Sequence, residues 1–472
     1  MKRCVGAAGP GIWILIGLLV MLPAGPVRTV DAETGQETVE IRGERPPGGI
    51  WPNAELRERG FDVPDIPRNE NAAWVYIEAA NRYLDLPEEL NNAFGYVSGK
   101  AWLDNQPELR DWLTSKENRE ALDLARKASR MERCQMPYFG DPDGSALAVL
   151  LPSLRHYRTL AKIAVADGRR LAAQKDYRGA MDDFTIVLRL GHHVSQGITL
   201  IESLVGLACW NIASTATRDM VLRNDFSREE LAAICEEWKK LKPLVPTVRR
   251  GFEYERLFGP LLVDEVVSRP TQLLRNLNEL RSNGLSSGYV KSKDGWDRLE
   301  ARIGRVFLPD RTIKRHMLEY YDPLVETVHV PYYDPRVRDF EEEKAILSIP
   351  QWDVLSRFLL PSLSRARLLG ARLQTDTQAT TLVLALRRHA RENQGKYPAT
   401  LADLSIELEP DDLIDPFSGV EFKYTRTADG WTLYSVGSDG TDNGGKSGER
   451  WDTADTDMVY VFPPEPLEPF EE

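Results

Sequence analysis

The sequence predicts a mainly α-helical protein, in which a multi-helix array is followed by a small α+β module with an antiparallel β-sheet. Apolar residues recur every three or four positions through residues 69–374, the predicted helical body, for example in PELRDWLTSKENREALDLARKAS. A polar stretch at 281–295 predicts a loop or a subdomain boundary within this body. Near the C-terminus, the runs VEFKYTRT and WTLYSVG have strand composition and are joined at Asp429-Gly430, a dipeptide typical of tight hairpins.

The first 32 residues predict a targeting segment. Lys2 and Arg3 precede an uncharged stretch whose most apolar part is IWILIGLLVML, and small residues follow at Ala24 and Ala32. Two interpretations fit: a signal peptide cleaved after Ala24 or Ala32, or an uncleaved membrane anchor with a cytoplasmic N-terminus. Both predict export, giving a periplasmic, cell-surface, secreted or anchored protein. Residues 33–68, rich in glycine, proline and charge, then predict a flexible tether.

The net charge of −12 comes from the C-terminal part of the chain. Residues 399–472 contain 18 acidic and 4 basic residues, which leaves 54 acidic and 56 basic residues in the rest. A nearly neutral body without a basic stripe does not attract a phosphate backbone. We therefore expect no nucleic-acid partner, and membrane contact only through the N-terminal segment if it is not cleaved.

The stretch KDYRGAMDDF resembles the second half of a tetratricopeptide repeat. Tyr177, Ala180 and Phe184 have the spacing that lets two antiparallel helices interlock, and Gly168 lies in the preceding helix. A solenoid needs about three such units to bury its faces, and one is visible. The simpler interpretation is an αα-hairpin within a helical domain.

A second stretch, GITLIESLVGLA at 197–208, resembles the processing signature of type IV pilins and pseudopilins, with Glu202 at the fifth position of the helix. That signature functions at a cytoplasmic N-terminus, whereas this copy lies far inside the chain. Its apolar run is interrupted by Trp210, Asn211 and Ser214, too soon to span a bilayer. We therefore expect a buried core helix.

Residues 375–462 form the predicted C-terminal module. Its first element is a helix at 376–393, which Gly395 and Pro398 end. A short helix in TLADL follows, and then come the turn DPFSG, the hairpin and a third strand in DMVYVF. The glycine-rich stretch SVGSDGTDNGGKSG therefore connects two strands. An acidic, proline-rich tail at 463–472 follows the module.

This order of elements resembles the C-terminal globular domain of the type II secretion major pseudopilin, over about residues 375–462. The resemblance is carried by GKYP, DPFSG and a set of serine, glycine and acidic positions: Ser435, Gly437, Asp439, Gly440, Gly444, Gly445 and Asp457. It implies that the loop binds calcium through Asp439 and a later acid, Asp457 or Asp455. The chain lacks the N-terminal helix of that family and carries the helical body instead.

The residue types in the loop also favour a calcium site, with Asp439, Asp442, Asn443, Asp455 and Asp457 as candidate ligands. Calcium takes about six to eight oxygen ligands, and glycines let a short loop turn its carbonyl oxygens inward. Without a cation, repulsion among these carboxylates disfavours a compact loop. The alternative is a solvated acidic turn. At an affinity of ~0.1 mM, millimolar Ca²⁺ would add about 1.4 kcal/mol of stability, which is a structural role.

Motifs for catalysis are not evident in the sequence. The six histidines show no metal-ligand spacing, and P-loop, dinucleotide-binding and G-x-S-x-G motifs do not occur. Cys134, Cys209 and Cys235 remain after cleavage of a signal peptide, and an odd number without a close pair predicts no disulfide framework. Cys209, within LVGLACW, is expected to be a small buried apolar residue.

Two functional hypotheses follow. The first is an exported, noncatalytic protein whose helical body acts as a protein-interaction scaffold and whose module is stabilised by Ca²⁺. The alternative is an extracytoplasmic helical hydrolase or lyase with the module as an accessory, because the body is large and contains acids within apolar segments. An inward-facing acid cluster in a deep pocket of the body would favour the second.

Overall fold

The structure is a computed structural model. It describes the following residues: 41–42, 50–139, 151, 153–268, 309–353, 356–357, 360, 363–404, 408–448, 455–467 and 469–470. The targeting segment predicted at 1–32 and the polar break predicted at 281–295 lie outside the described residues.

Helices dominate this part of the chain. They are, in order, α1 (Asn53–Glu58), α2 (Ala72–Ala80), α3 (Asn91–Gly99), α4 (Pro107–Leu113), α5 (Lys116–Ser129), α6 (Leu154–Ala173), α7 (Tyr177–Ser195), α8 (Leu200–Arg223), α9 (Arg228–Leu241), α10 (Arg249–Ser268), α11 (Asp310–Glu326), α12 (Pro335–Arg338), α13 (Glu342–Ser348) and α14 (Leu363–Glu392). An antiparallel sheet follows, in the order β1 (Lys423–Arg426), β2 (Trp431–Ser435) and β3 (Met458–Phe462). The predicted fold class, mainly α with a small α+β C-terminal module, is confirmed.

The tetratricopeptide-like stretch forms an αα-hairpin from α6 and α7, as predicted. Asp176 caps the N-terminus of α7, where its side chain accepts a hydrogen bond from the Gly179 N–H at 2.9 Å. Tyr177, Ala180 and Phe184 are buried. A Cβ at Gly168 would lie 2.5 Å from the Phe184 ring, so the glycine is what allows α6 and α7 to pack this closely.

The next helix, α8, crosses α7 at a contact between two glycines. A Cβ at Gly191 would lie 2.8 Å from the Gly206 carbonyl oxygen, and a Cβ at Gly206 would lie 2.5 Å from the Gly191 carbonyl oxygen. The two backbones therefore touch, and a larger side chain at either position would force the helices apart. Cys209 follows on α8 and is buried with a free thiol, as expected.

The pilin-like stretch forms the buried start of α8, which confirms the predicted core helix. Thr199 and Glu202 form a capping box, in which a Glu202 carboxylate oxygen accepts a hydrogen bond from the Thr199 N–H at 3.0 Å. The Tyr138 hydroxyl donates to the same carboxylate at 3.2 Å. Burial raises the pKa of Glu202 to about 7. Among the described residues, no helix combines the length and the apolar content needed to cross a membrane.

The predicted tether is wrong for residues 50–68, which pack on the helical body. This stretch contains α1, and the side chains of Leu56, Phe61 and Val63 are buried. The Phe61 ring packs against that of Phe258 on α10, with centroids 4.6 Å apart. These apolar residues are few and unevenly spaced, so they give no periodic signal among the glycines and prolines.

The module does not begin at residue 375, because α14 is one continuous helix from Leu363 to Glu392. The helix predicted at 376–393 is the second half of α14. The predicted hairpin is confirmed, with Arg426 opposite Trp431 across the turn. A Cβ at Gly430 would lie 1.8 Å from the Phe462 carbonyl oxygen, so β3 approaches the hairpin too closely for any other residue there.

Buried polar side chains join α14 to α8. The Trp210 Nε1–H donates to Thr377 Oγ1 at 3.1 Å, and one turn further along, Ser214 Oγ and Thr380 Oγ1 lie 3.2 Å apart. Trp210, Ser214 and Thr380 are fully buried, and Thr377 is 3% exposed. These hydrogen bonds fix the register of the two helices, since sliding one helix would leave buried polar groups without partners.

The contact between α8 and α14 also includes a group of three charged or polar side chains. Arg218 Nη2 lies 3.4 Å from Asp376 Oδ1, and both side chains are at most 10% exposed. The Tyr460 hydroxyl, on β3, donates to the same Asp376 oxygen at 2.9 Å, and the Arg218 guanidinium lies over the Tyr460 ring. Tyr460 of the sheet thus contacts both α8 and α14.

Glu202 gives a prediction for the pH dependence of stability. Its folded-state pKa of about 7 lies above the ordinary value of 4.5, so the folded state binds the proton more tightly. This contribution is fully present below about pH 4.5 and is lost as the pH rises through about 7. We expect Glu202→Gln, which keeps the capping hydrogen bond, to reduce the fall in unfolding free energy between pH 5 and 8 by roughly 2 kcal/mol.

Urea unfolding of the wild type and the variant across this pH range measures the difference. Glu230→Gln is the matched control, because Glu230 occupies the same position in the capping box of α9 but is exposed to solvent. We expect the control to follow the wild-type pH dependence. An unchanged pH dependence in Glu202→Gln would contradict the prediction.

Candidate functional site

A buried aspartate outside the loop between β2 and β3 anchors the start of that loop. Asp415, in the turn DPFSG, is 1% exposed. Its carboxylate accepts hydrogen bonds from Ser435 Oγ at 2.7 Å and from the Val436 N–H at 3.2 Å. The same carboxylate accepts from the Phe417 N–H at 3.0 Å and from Ser418 Oγ at 3.0 Å. Asp415 therefore ties the turn before β1 to the start of the loop.

Two glycines turn the chain where the loop leaves and re-approaches the sheet. Gly437 has a φ of 72°, and a Cβ there would lie 3.0 Å from the Thr456 carbonyl oxygen. Gly445 has a φ of 79°, and a Cβ there would lie 3.3 Å from the Tyr434 ring. Both positions require the left-handed conformation that glycine adopts without strain.

Three of the predicted ligands meet in the loop. Asp439 Oδ2 accepts a hydrogen bond from the Asp455 N–H at 2.9 Å and lies 3.4 Å from Asn443 Nδ2. Asp439 Oδ1 accepts from the Thr441 N–H at 2.9 Å, which forms a local turn. Asp455 has a φ of 68°, a left-handed conformation that aspartate tolerates better than most residues. The two ends of the loop thus meet at the Asp439 carboxylate.

Asp457 is buried, and it closes the loop from the side of β3. Its exposed fraction is 3%, and its carboxylate accepts hydrogen bonds from the Asn443 N–H at 3.2 Å and the Gly445 N–H at 2.7 Å. Its own N–H donates to the Lys446 carbonyl at 2.8 Å. A buried carboxylate with two backbone donors holds the middle of the loop against the strand.

Asp442 faces a different side of the loop. It accepts a hydrogen bond from the Tyr434 hydroxyl at 3.1 Å and lies 3.4 Å from Lys423 Nζ. The hydrogen bond from the Gly444 N–H is the main cause that lowers the pKa of Asp442 below its ordinary value. Asp442 therefore pairs with the sheet, whereas Asp439, Asn443, Asp455 and Asp457 are linked to one another.

The donor set limits what this site can bind. Within the described residues, no three histidine, cysteine or acidic side chains lie close enough together to hold a metal ion. A cation at this loop would therefore take few carboxylates and would depend on backbone carbonyls and the Asn443 amide. Such a set of oxygens suits Ca²⁺ and not the transition metals that select nitrogen or sulfur.

The body contains a buried acid cluster that the sequence analysis did not locate. Asp167 pairs with Arg119 and with Arg170, each at 2.7 Å, and Asp183 pairs with Arg126 at 2.9 Å. Burial, and then the neighbouring Asp167, raise the pKa of Asp183 well above its ordinary value. The cluster links α5, α6 and α7, and each of the two aspartates has an arginine partner.

A second polar group in the body contains serine, histidine and aspartate. His316 Nδ1 lies 2.7 Å from Asp353 Oδ2, and both residues are at most 9% exposed. The Ser356 hydroxyl donates to the same Asp353 oxygen at 2.7 Å. A nucleophile relay requires the serine hydroxyl to contact the imidazole, and here it contacts the carboxylate instead. These three residues therefore do not form a catalytic triad among themselves.

Sequence reasoning missed Asp415, because DPFSG was interpreted only as a turn. Aspartate two residues before a backbone donor is a signal for a side-chain turn, so its hydrogen bond to Phe417 could be anticipated. Its contacts with β2 could not, since they depend on the tertiary fold.

No family model, curated protein or solved structure matches the chain.

The two sides of the loop differ in their predicted contribution to stability. Because Asp457 is buried and holds two backbone N–H groups, we expect Asp457→Asn to lower the unfolding free energy by about 2 kcal/mol. Asp442 is about half exposed, with 44% of its side chain accessible. We expect Asp442→Asn to stay within about 0.5 kcal/mol of the wild type.

Urea unfolding in the presence of a chelator measures both variants without a contribution from bound cations. Equal effects of the two substitutions would contradict the assignment of Asp457 as the residue that closes the loop.

Proposed function

We propose that this protein is an exported, noncatalytic scaffold in which a helical body and a pseudopilin-like module act as one unit. The predicted targeting segment supports export, and the motif order of the C-terminal part supports the pseudopilin comparison. Protein partners would bind the body. Leu347 and Trp352, five residues apart and each about half exposed, are candidates for that contact.

We further propose that the loop between β2 and β3 holds a structural Ca²⁺. The observation that carries this proposal is the meeting of Asp439, Asn443 and Asp455 beside the buried Asp457. Asp439 and Asn443 would supply side-chain oxygens, and backbone carbonyls of the loop would complete the set. The ion would offset the repulsion between the Asp439 and Asp457 carboxylates, whose hydrogen bonds within the described part of the loop come from N–H groups and not from a basic side chain.

The full chain is the appropriate sample for testing this site. The module's helix is the second half of α14, which continues into the body as far as Leu363. Asp376 on this helix pairs with Arg218 of the body, so an isolated module would lose buried contacts. A chain that begins at residue 33 avoids the apolar targeting segment.

Calcium titration of this chain by isothermal calorimetry, after treatment with a chelator, tests the proposal. We expect saturable binding with an affinity on the order of 0.1 mM, and a gain of about 1.4 kcal/mol in unfolding free energy at 1 mM Ca²⁺. Asp439→Asn should weaken binding by about tenfold, because it removes a negatively charged oxygen donor.

Asp429→Asn is the matched control, since it removes the same charge from the neighbouring hairpin, where Asp429 is exposed. It should leave calcium affinity unchanged. If the wild type shows no saturable heat, or if both variants bind like the wild type, the loop is a solvated acidic turn and the calcium proposal fails.

A further inference from the structure

The described residues after the sheet contact the helical body again. After β3, residues 463–467 and 469–470, here called the tail, run back across the helical body. Arg223, at the end of α8, donates from Nη1 to the Glu465 carbonyl oxygen at 3.0 Å. The Phe470 ring meets the Tyr96 ring of α3 edge to face, with centroids 5.4 Å apart. The tail therefore connects the last strand to one of the first helices.

The surface beneath the tail is held in place by a buried arginine. Arg169 on α6 is 7% exposed, and it donates from Nη2 to the Gly99 carbonyl at 3.3 Å and to Asp219 Oδ2 at 3.1 Å. These contacts join the end of α3 to the last turn of α8. The relative positions of Tyr96 and Arg223, which contact the two ends of the tail, are thereby fixed.

The tail is acidic and rich in proline, and two basic residues of the body lie beside the points where it makes contact. The sequence PPEPLEPFEE contains four glutamates, four prolines and no basic residue. The surface contains Arg223 and also Lys100, whose Nζ lies 5.9 Å from the centroid of the Tyr96 ring. Prolines restrict the unbound tail, so less conformational entropy is lost when it binds.

We propose that Tyr96, Lys100 and Arg223 form a peptide-binding surface for an acidic, proline-rich segment with an aromatic residue near its end. Its occupant is the tail of the same chain. Most of the tail is exposed, while Pro464 and Phe470 are half-buried, so the contact is small. A small contact persists within one chain because the attached tail has an effective concentration on the order of millimolar.

The proposal is tested with a chain that ends at Phe462 and a fluorescent peptide of residues 463–472. Fluorescence anisotropy at low salt should show saturable binding to the shortened chain, with binding to the full chain at least about tenfold weaker because its surface is filled. A peptide with Phe470→Ala should bind about three- to tenfold more weakly, as expected for the loss of an aromatic pair. Leu467→Ala is the control peptide, because Leu467 is 40% exposed, and it should bind like the wild type.

A second measurement does not depend on the folding of the shortened chain. In the full chain, Phe470→Ala should increase the rate at which a glutamate-specific protease releases the tail, measured by mass spectrometry, whereas Leu467→Ala should not. No binding to a folded shortened chain, equal binding of the Phe470→Ala peptide, or equal release rates would each overturn the proposal.

Discussion

The structure depends on the buried contact of Arg218 with Asp376 and Tyr460. An isolated charge inside a protein costs several kcal/mol, so Arg218 and Asp376 each need the other, and the neutral Tyr460 hydroxyl adds a hydrogen bond to Asp376. Asp376 lies on α14, Arg218 on α8 and Tyr460 on β3, and their side chains are nearly inaccessible to solvent. Because apolar residues would pack there at lower cost, we expect this contact to specify one arrangement of the body and the sheet more than it adds stability.

Because of this contact, the C-terminal module is joined to the helical body and is not a separate unit of the fold. In sequence it is a separate unit, with its own helix, turn, hairpin and third strand. In the structure its helix extends to Leu363 and is bonded to α8 at Thr377 and Thr380, and Lys242 of the body pairs with Asp412 of the module. The glycine-rich loop is therefore attached to a module whose helix and sheet are bonded to the helical body.

Periodic patterns predicted the helices and strands, and local residue types predicted the end of the helix at 376–393 and the hairpin. The hairpin at Asp429-Gly430 is an example in which local residue types are sufficient, whereas the approach of β3 to Gly430 depends on the tertiary fold. The stretch 50–68 and the continuity of α14 were not predicted, since both result from packing between distant residues, such as Phe61 with Phe258. In the loop, the sequence identified the acids but could not separate Asp442, which pairs with Lys423, from Asp457, which is buried.

The acids in and around the loop have different roles, and this explains how a calcium site could form without a large carboxylate cluster. Asp415 and Asp457 are buried and already accept backbone N–H groups, so they hold the loop in shape before any ion binds. Each Asp457 oxygen accepts one hydrogen bond, which leaves its second lone pair available to an ion. Asp439, near the start of the loop, accepts a hydrogen bond from Asp455 near its end, and it is then the residue whose charge an ion would balance. A site organised in this way needs few acids, because its geometry is set by the fold.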